Sequence, residues 1–138
     1  MASIYRIATL CIVAVSLALV SCGTQPPNTV PDNLIGAWVL VWWKDPLPLP
    51  EVQITLNING DEVTGNSSCN AYQGKLTIRN SSFRVGELGS TFVLCNDEDE
   101  KTEMKFRSLL EAASNWRIVD TTLVLSSGGV DSLRFLSS

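Results

Sequence analysis

Short stretches of alternating apolar and polar residues, separated by turn residues, follow one another from Leu34 to the end of the chain. Between residues 52 and 58, four apolar side chains alternate with polar ones, which is typical of a strand with one buried face. Asn59-Gly60-Asp61 comes next and predicts a tight hairpin turn. Residues 36–43 are apolar on both alternating faces, so we expect a strand that is covered on both sides.

Prolines alternate with leucines at residues 46–50, and proline cannot donate a hydrogen bond to a neighbouring strand. We therefore interpret this segment as a stiff loop, with a recognition segment as the alternative. The remaining pattern predicts further strands at residues 62–65, 76–78, 83–85, 91–94, 116–119, 123–125 and 132–136.

One amphipathic helix is predicted from residue 98 to residue 113. Asn96 suits the N-cap position, and the acidic residues 97–100 favour the positive end of the helix dipole. Its expected apolar face consists of Phe106, Leu109, Leu110 and Ala113. Glu103 and Arg107 are four residues apart, so we expect them to pair on the solvent side.

Strands that outnumber helices, joined by short turns, favour a mainly β (α+β) fold. We expect residues 34–138 to form a curled, barrel-like antiparallel sheet of roughly seven to nine strands with one α-helix packed on it.

The first residues have a different pattern, an uncharged apolar run from Ile7 to Val20 after a single cation. A membrane-spanning helix needs about 20 apolar residues, whereas the core of a signal peptide needs about 7–15. Leu19-Val20-Ser21-Cys22 follows and resembles the lipobox of bacterial lipoproteins. Residues 1–21 are therefore interpreted as a lipoprotein signal peptide, and an ordinary signal peptide with an incidental cysteine is the alternative.

The lipobox resemblance implies that the chain is cleaved just before Cys22 and that Cys22 is acylated, which anchors the chain to a membrane. Two or more acyl chains hold a protein stably on a bilayer, whereas one binds marginally. Residues 22–33 are proline-rich and polar, so we expect them to be a flexible tether. Gly23 follows the acylated cysteine where inner-membrane lipoproteins often have Asp, which favours the outer membrane, facing the periplasm.

The rest of the chain resembles the META domain, the module of the HslJ-like heat-shock lipoproteins. Its central signature is matched by Gly65-Asn66-Ser67-Ser68-Cys69-Asn70-Ala71-Tyr72. Further matches are the opening strand at residues 34–40, the Thr91–Cys95 segment, the helix pattern at 103–110 and the closing Leu123-x-Leu125. The family often has Met before the second cysteine, where this chain has Leu94, which puts any role of that Met in doubt. The resemblance implies a fold, an envelope compartment and a link to envelope stress, and it implies no reaction.

Cys69 and Cys95 are the two cysteines that remain once Cys11 leaves with the signal peptide and Cys22 is acylated. Because the domain faces an oxidising space, we predict that these two form a disulfide. Two reduced, buried thiols are the alternative.

The chain contains no histidine, which excludes Ser-His-Asp and Cys-His catalysis and removes the commonest general base. The cysteines are too few for a structural zinc site, and the acidic run lacks the oxygen pattern of a calcium loop. We expect no enzyme activity, no metal and no cofactor. The net charge of −4 and the lack of a basic run argue against nucleic-acid binding.

These observations favour a monomeric, non-enzymatic envelope lipoprotein that acts in envelope maintenance or stress tolerance by binding a protein or another envelope component. The candidate surface lies around Asn70, Ala71 and Tyr72, unless Asn70 and Tyr72 serve only local structure. Two other functions stay open: a carrier of a small apolar ligand held among the four tryptophans, and an inhibitor of an envelope-attacking hydrolase that uses the loop at residues 45–50.

Overall fold

The structure is a computed structural model, and it describes residues 28–46 and 48–138. The predicted signal peptide, Cys22 and residues 23–27 of the predicted tether lie outside those residues. The described half of the tether is held against the domain. The Asn28 side chain donates to the Leu76 carbonyl and accepts from the Ile78 N–H, both at 2.7 Å, and Val30 packs against the core. Within the described ranges, no helix is both long enough and apolar enough to cross a membrane.

Nine strands and one helix make up the described part of the chain. In chain order they are β1 (Gly36–Trp43), β2 (Thr55–Asn59), β3 (Glu62–Asn66), β4 (Ala71–Arg79), β5 (Ser82–Val85), β6 (Gly89–Ser90), α1 (Asp97–Glu111), β7 (Asn115–Val119), β8 (Thr122–Ser127) and β9 (Val130–Ser137).

All strand pairs are antiparallel, and the sheet closes into a ring. The strands follow the order β3-β2-β1-β9-β8-β7-β5-β4-β6, and β3 also pairs with β4. The junction between β5 and β7 is the shortest, with Ser82 opposite Asn115. β6 pairs with the first half of β4 and lies outside the ring. This arrangement confirms the predicted curled, mainly β fold with one helix.

The inward faces of the strands fill the interior with large apolar side chains, and α1 packs against them. Phe106 and Leu110 of α1 are completely buried. The Phe106 ring lies 5.6 Å from the ring of Tyr72 and 6.5 Å from that of Phe135, measured between centroids. Burying each such side chain contributes about 1.5–3 kcal/mol, so the helix is held by its apolar face.

The helix begins and ends within two residues of the prediction, and Asn96 caps it as expected. Its side-chain oxygen accepts hydrogen bonds from the backbone N–H groups of Glu98 and Asp99. The expected exposure of Glu103 is wrong, since this residue is only 7% exposed. It lies on the side of the helix that faces the start of β4, where the Asn70 side chain donates a hydrogen bond to its carboxylate.

β1 is not covered on both sides as the sequence predicted. Its register slips between Leu40 and Trp42, so Val41 is an extra residue that reverses the alternation of faces. As a result Trp43 points into the core, whereas Val41 and Trp42 are 40% and 38% exposed. One strand therefore carries two inward patterns in succession, which makes its sequence look apolar on both faces.

The prediction of a strand at residues 91–94 is also wrong. Only Gly89 and Ser90 form strand β6, and the chain after them has no regular structure until α1 begins. The proline-rich segment, by contrast, forms no strand at the described residues 46 and 48–50, as expected. Asp45 at its start makes an ion pair with Lys105 of α1 at 2.5 Å, which fastens this loop to the helix.

Candidate functional site

A disulfide and a cluster of polar side chains join the points where β4 and α1 begin. Cys69 stands just before β4, and Cys95 stands just before the N-cap of α1. Their Cα atoms are 6.2 Å apart and the two residues are joined by a disulfide, the pairing that the sequence analysis predicts. The bridge ties the loop that precedes the helix to the entrance of the central strand.

Asn70 uses all the hydrogen-bonding capacity of its side-chain amide beside this bridge. Its oxygen accepts hydrogen bonds from the Thr91 hydroxyl at 2.9 Å and from the Val93 backbone N–H at 2.8 Å. Its nitrogen donates to Glu103 Oε2 at 2.9 Å and approaches Cys95 Sγ at 3.7 Å. Asn70 therefore fixes the loop on one side and the helix on the other.

The carboxylate of Glu103 is buried but fully partnered. Its Oε2 accepts the hydrogen bond from Asn70, and its Oε1 accepts one from the Ser90 hydroxyl at 3.3 Å. Arg107 supplies a positive charge 3.6 Å from Oε1. Buried carboxylates need such partners because an unpaired charge in the interior is costly.

A tight turn before β4 positions this cluster. Ser67 donates to the Asn70 carbonyl through both its backbone N–H at 2.9 Å and its hydroxyl at 2.8 Å. Ser68 has a φ of 99° and donates its N–H to the Asn66 side chain, which holds the reversed chain in place. The Ser68 hydroxyl also reaches Asp99 of the helix at 3.3 Å.

Tyr72 belongs to the core rather than to a surface. It is 3% exposed, its hydroxyl donates to the Thr55 carbonyl at 2.7 Å, and burial raises its pKa above the ordinary value. Gly65 lies across the ladder, and a Cβ there would overlap the Thr55 carbonyl and crowd the Tyr72 hydroxyl. The glycine and the tyrosine of the family signature thus fit each other.

Of the expected surface at Asn70, Ala71 and Tyr72, only Ala71 is exposed. The other two residues fulfil the structural alternative that the sequence analysis left open, because one organises the neighbouring loop and the other packs inside. The polar cluster in turn holds in place an exposed segment of the chain.

What it holds is a row of three solvent-facing apolar residues, Phe92, Val93 and Leu94, which we call the apolar tip. Their side chains are 99%, 62% and 101% exposed. Sequence reasoning assigned them to a strand and missed this surface. No local signal in the sequence separates this segment from a strand, since its four residues have the length of β5 and nearly the sequence of residues 122–125 in β8.

The four tryptophans do not share one cavity. Trp38 and Trp43 are buried in the core, whereas Trp42 lies on the outside with the Arg134 guanidinium 4.7 Å from its ring centre. The indole N–H of Trp116 donates to the Asn80 carbonyl at 3.1 Å. This distribution gives no support to an apolar ligand held among them.

Cys69, Cys95 and Glu103 also bring two sulfur atoms and a carboxylate oxygen within 4.8 Å of one another. Cysteine binds metals as a free thiolate, and in the bridged state neither sulfur is one. In this arrangement the group acts as a brace.

An open cleft of about 540 Å³ separates the proline-rich loop from the start of α1. Its acidic lining includes Glu51, Glu98 and Asp99, with Lys101 as the basic member. Leu49 and Val52 add an apolar side to it.

Comparison with known proteins gives a family and a fold. The family model of the META domain matches residues 32–138. An NMR structure of a protein from Burkholderia xenovorans has a TM-score of 0.64 and 21% sequence identity, covering 98% of this chain and 99% of that one. A second NMR structure has a TM-score of 0.59 and 16% identity, covering 78% of this chain and 95% of its own. No curated protein sequence matches this chain.

Proposed function

This chain belongs to the META domain family, and we propose that it is a bacterial envelope lipoprotein whose domain binds an envelope protein or another envelope component. We propose further that it catalyses no reaction. In this proposal the domain serves envelope maintenance or stress tolerance by binding its partner while a lipid anchors the chain to the membrane.

One observation carries the binding role over a catalytic one: the polar cluster at the start of β4 has no capacity left for a substrate. Both N–H groups and both lone pairs of the Asn70 amide are engaged within the protein. The Glu103 carboxylate accepts hydrogen bonds from Asn70 and Ser90 and forms an ion pair with Arg107. A general base must be free to accept a proton from a bound substrate, and this carboxylate is already occupied.

The composition supports the same choice. The chain has no histidine, and the thiols that could act as nucleophiles are Cys69 and Cys95, which are bridged. Nucleophilic catalysis needs an activated nucleophile with a base beside it. What the site offers instead is a braced loop with apolar side chains facing outward.

The proposed anchor rests on the sequence pattern at Cys22, which lies outside the described residues. Acyl chains on Cys22 would hold the protein at the membrane, and the segment between Cys22 and Asn28 would join them to the domain. We place it at the outer membrane, facing the periplasm, because Gly23 rather than Asp follows the acylated cysteine.

Fractionation of cells that make the full chain tests the anchor. Cys22→Ser should move the protein from the membrane fraction to the soluble periplasmic fraction, and mass spectrometry should show loss of the acylated N-terminal peptide. Cys11→Ser is the matched control, because this cysteine lies within the predicted signal peptide and should leave the distribution unchanged. Retention of the Cys22→Ser chain in the membrane would refute the lipoprotein proposal.

A strain that lacks this chain tests the physiological role. We expect lower survival than the parent strain under detergent or heat, and full recovery when the intact chain is restored. Recovery with the Cys22→Ser chain at equal abundance would show that the anchor is not needed for the role.

A further inference from the structure

We propose that the apolar tip is the recognition element of this domain, and that it inserts into an apolar pocket bordered by Lys and Arg side chains on a partner protein. This inference rests on the proposed binding function and deepens it by naming the surface and the chemistry of the partner.

The first argument is the exposure of the tip. Phe92 and Leu94 present their entire side chains to solvent, with Val93 between them more than half exposed. Contiguous apolar surface rimmed by polar groups marks interaction sites on soluble proteins. Aromatic side chains that enter a partner's pocket supply most of the binding energy at many interfaces.

The second argument is rigidity. Thr91, the residue before the tip, is fixed to Ala71: its N–H donates to the Ala71 carbonyl at 3.0 Å, and its hydroxyl accepts the Ala71 N–H at 3.2 Å. The middle of the tip is fixed by the Val93 N–H on Asn70, and its end by the bridge at Cys95. A loop that is fixed before binding loses little conformational entropy on binding, which favours affinity.

The third argument is charge. Leu94 is followed, after two residues, by Asp97, Glu98, Asp99 and Glu100 in the first turn of α1. Three of these four carboxylates are exposed and Asp99 is half-buried. Any surface that receives the tip must approach this acidic turn, so a complementary surface carries basic residues around its pocket.

The same charges decide against two other occupants. Anionic lipid at a bilayer surface would repel the acidic turn as Phe92 and Leu94 entered the membrane. A second copy of this chain offers the cleft beside the proline-rich loop, but Glu51, Glu98 and Asp99 line that cleft and would face a second set of carboxylates. A basic-rimmed pocket on a different protein avoids both conflicts.

Site-specific photo-crosslinking in living cells tests the proposal on the full, anchored chain. A benzoylphenylalanine replaces Leu94, and matched chains carry it at Leu49 in the proline-rich loop or at Trp42 on the outer face of β1. We expect a discrete protein adduct from position 94 and none from position 42. Peptide mapping should place the adduct on the partner beside apolar residues with Lys or Arg as neighbours.

Two variants of the position-94 chain separate the apolar and the charge contributions. Phe92→Ser should lower the adduct yield by about 10-fold or more, because it removes the aromatic anchor. Asp97→Asn with Glu98→Gln and Glu100→Gln should lower it several-fold and remove its dependence on salt. Unchanged thermal unfolding would show that each variant folds, which the exposure of all these side chains leads us to expect.

The outcomes distinguish this inference from the proposed function. An adduct from position 49 alone would contradict the assignment of the tip as the recognition element, while the proposed binding function would remain. Adducts to lipid acyl chains or to a second copy of this chain overturn the choice of partner. An adduct that is insensitive to Phe92→Ser and to the charge variant overturns the mechanism, and absence of an adduct at position 94 overturns the inference outright.

Discussion

Two segments of this chain have almost the same sequence and opposite fates. Residues 91–94 read Thr-Phe-Val-Leu, and residues 122–125 read Thr-Leu-Val-Leu. In the second segment Leu123 and Leu125 are completely buried and Val124 is 3% exposed. In the first segment Phe92 and Leu94 are fully exposed.

The difference lies in the neighbours. The second segment belongs to β8, which pairs along its length with β7 on one side and β9 on the other. The register places its outward residue, Val124, between Arg117 of β7 and Arg134 of β9. Beyond Thr91 the tip forms no ladder with any strand of the described residues; it is held by the Asn70 side chain and by the bridge at Cys95.

A short apolar run therefore forms a strand only where a neighbouring strand is available to pair with it. Strand propensity describes how well a side chain fits a pleated, half-buried surface, and it gives no partner by itself. The experiments below challenge this contrast between tip and strand, beginning with the largest effect.

Removal of the bridge should have the largest effect. Replacing Cys69 and Cys95 together by Ala should lower the free energy of unfolding by about 3.5 kcal/mol, because the unfolded chain gains the entropy of an open loop. Urea denaturation gives the value. Hydrogen exchange should rise at the tip more than in β8, since only the tip is held by the bridge. Two free thiols in the unreduced protein by mass spectrometry would contradict the premise.

The matched pair Leu125→Ala and Leu94→Ala compares the two segments directly. Leu125→Ala should cost about 3 kcal/mol of unfolding free energy because it leaves a cavity in a filled core. Leu94→Ala should cost less than about 0.5 kcal/mol, because the side chain contributes little when it is exposed. Equal losses in urea denaturation would mean that the tip is buried in solution.

Asn70→Ala should loosen the tip while the barrel persists. The change removes the acceptor of the Val93 N–H and the donor to buried Glu103, so we expect a loss of about 2 kcal/mol. The Val93 amide should exchange faster with solvent. Asn115→Ala is the control, since this exposed residue makes a longer bond to Ser81, at 3.4 Å. Unchanged protection of Val93 would show that the bridge alone fixes the tip.

The smallest effect concerns the ion pairs that Asp131 makes with Arg117 and Arg134, the two arginines beside Val124 of β8. The hydrogen bond from Arg117, with that from Arg134, holds the Asp131 pKa below its ordinary value. The ionised Asp131 carboxylate therefore stabilises the fold when the pH is above the ordinary pKa of an aspartate. This contribution is lost as pH falls through the lowered pKa. Asp131→Asn should cost about 0.5 kcal/mol at neutral pH, with the difference vanishing in acid. Glu87→Gln is the control, and urea denaturation across pH measures both. A difference that persisted in acid would mean that charge is not the cause.

Periodicity was sufficient for most of the fold. The hairpin at Asn59-Gly60-Asp61, the helix with its Asn96 cap and the closing strands all follow from local patterns that the structure retains. Where the prediction was wrong, the cause is a long-range contact. The bulge after Leu40 depends on how β1 meets β9, and the burial of Glu103 depends on Asn70, which is 33 residues away in sequence.

The sequence by itself determined that this is a META domain with a curled sheet, a capped helix and a cysteine pair, because spacing, turn residues and caps act over a few residues. Only the tertiary structure decided that residues 91–94 are displayed and residues 122–125 are buried. Local sequence is nearly the same in both, so the choice depends on which strands stand beside each segment. The closed ring encloses one on both sides, and the bridge with Asn70 holds the other outside it.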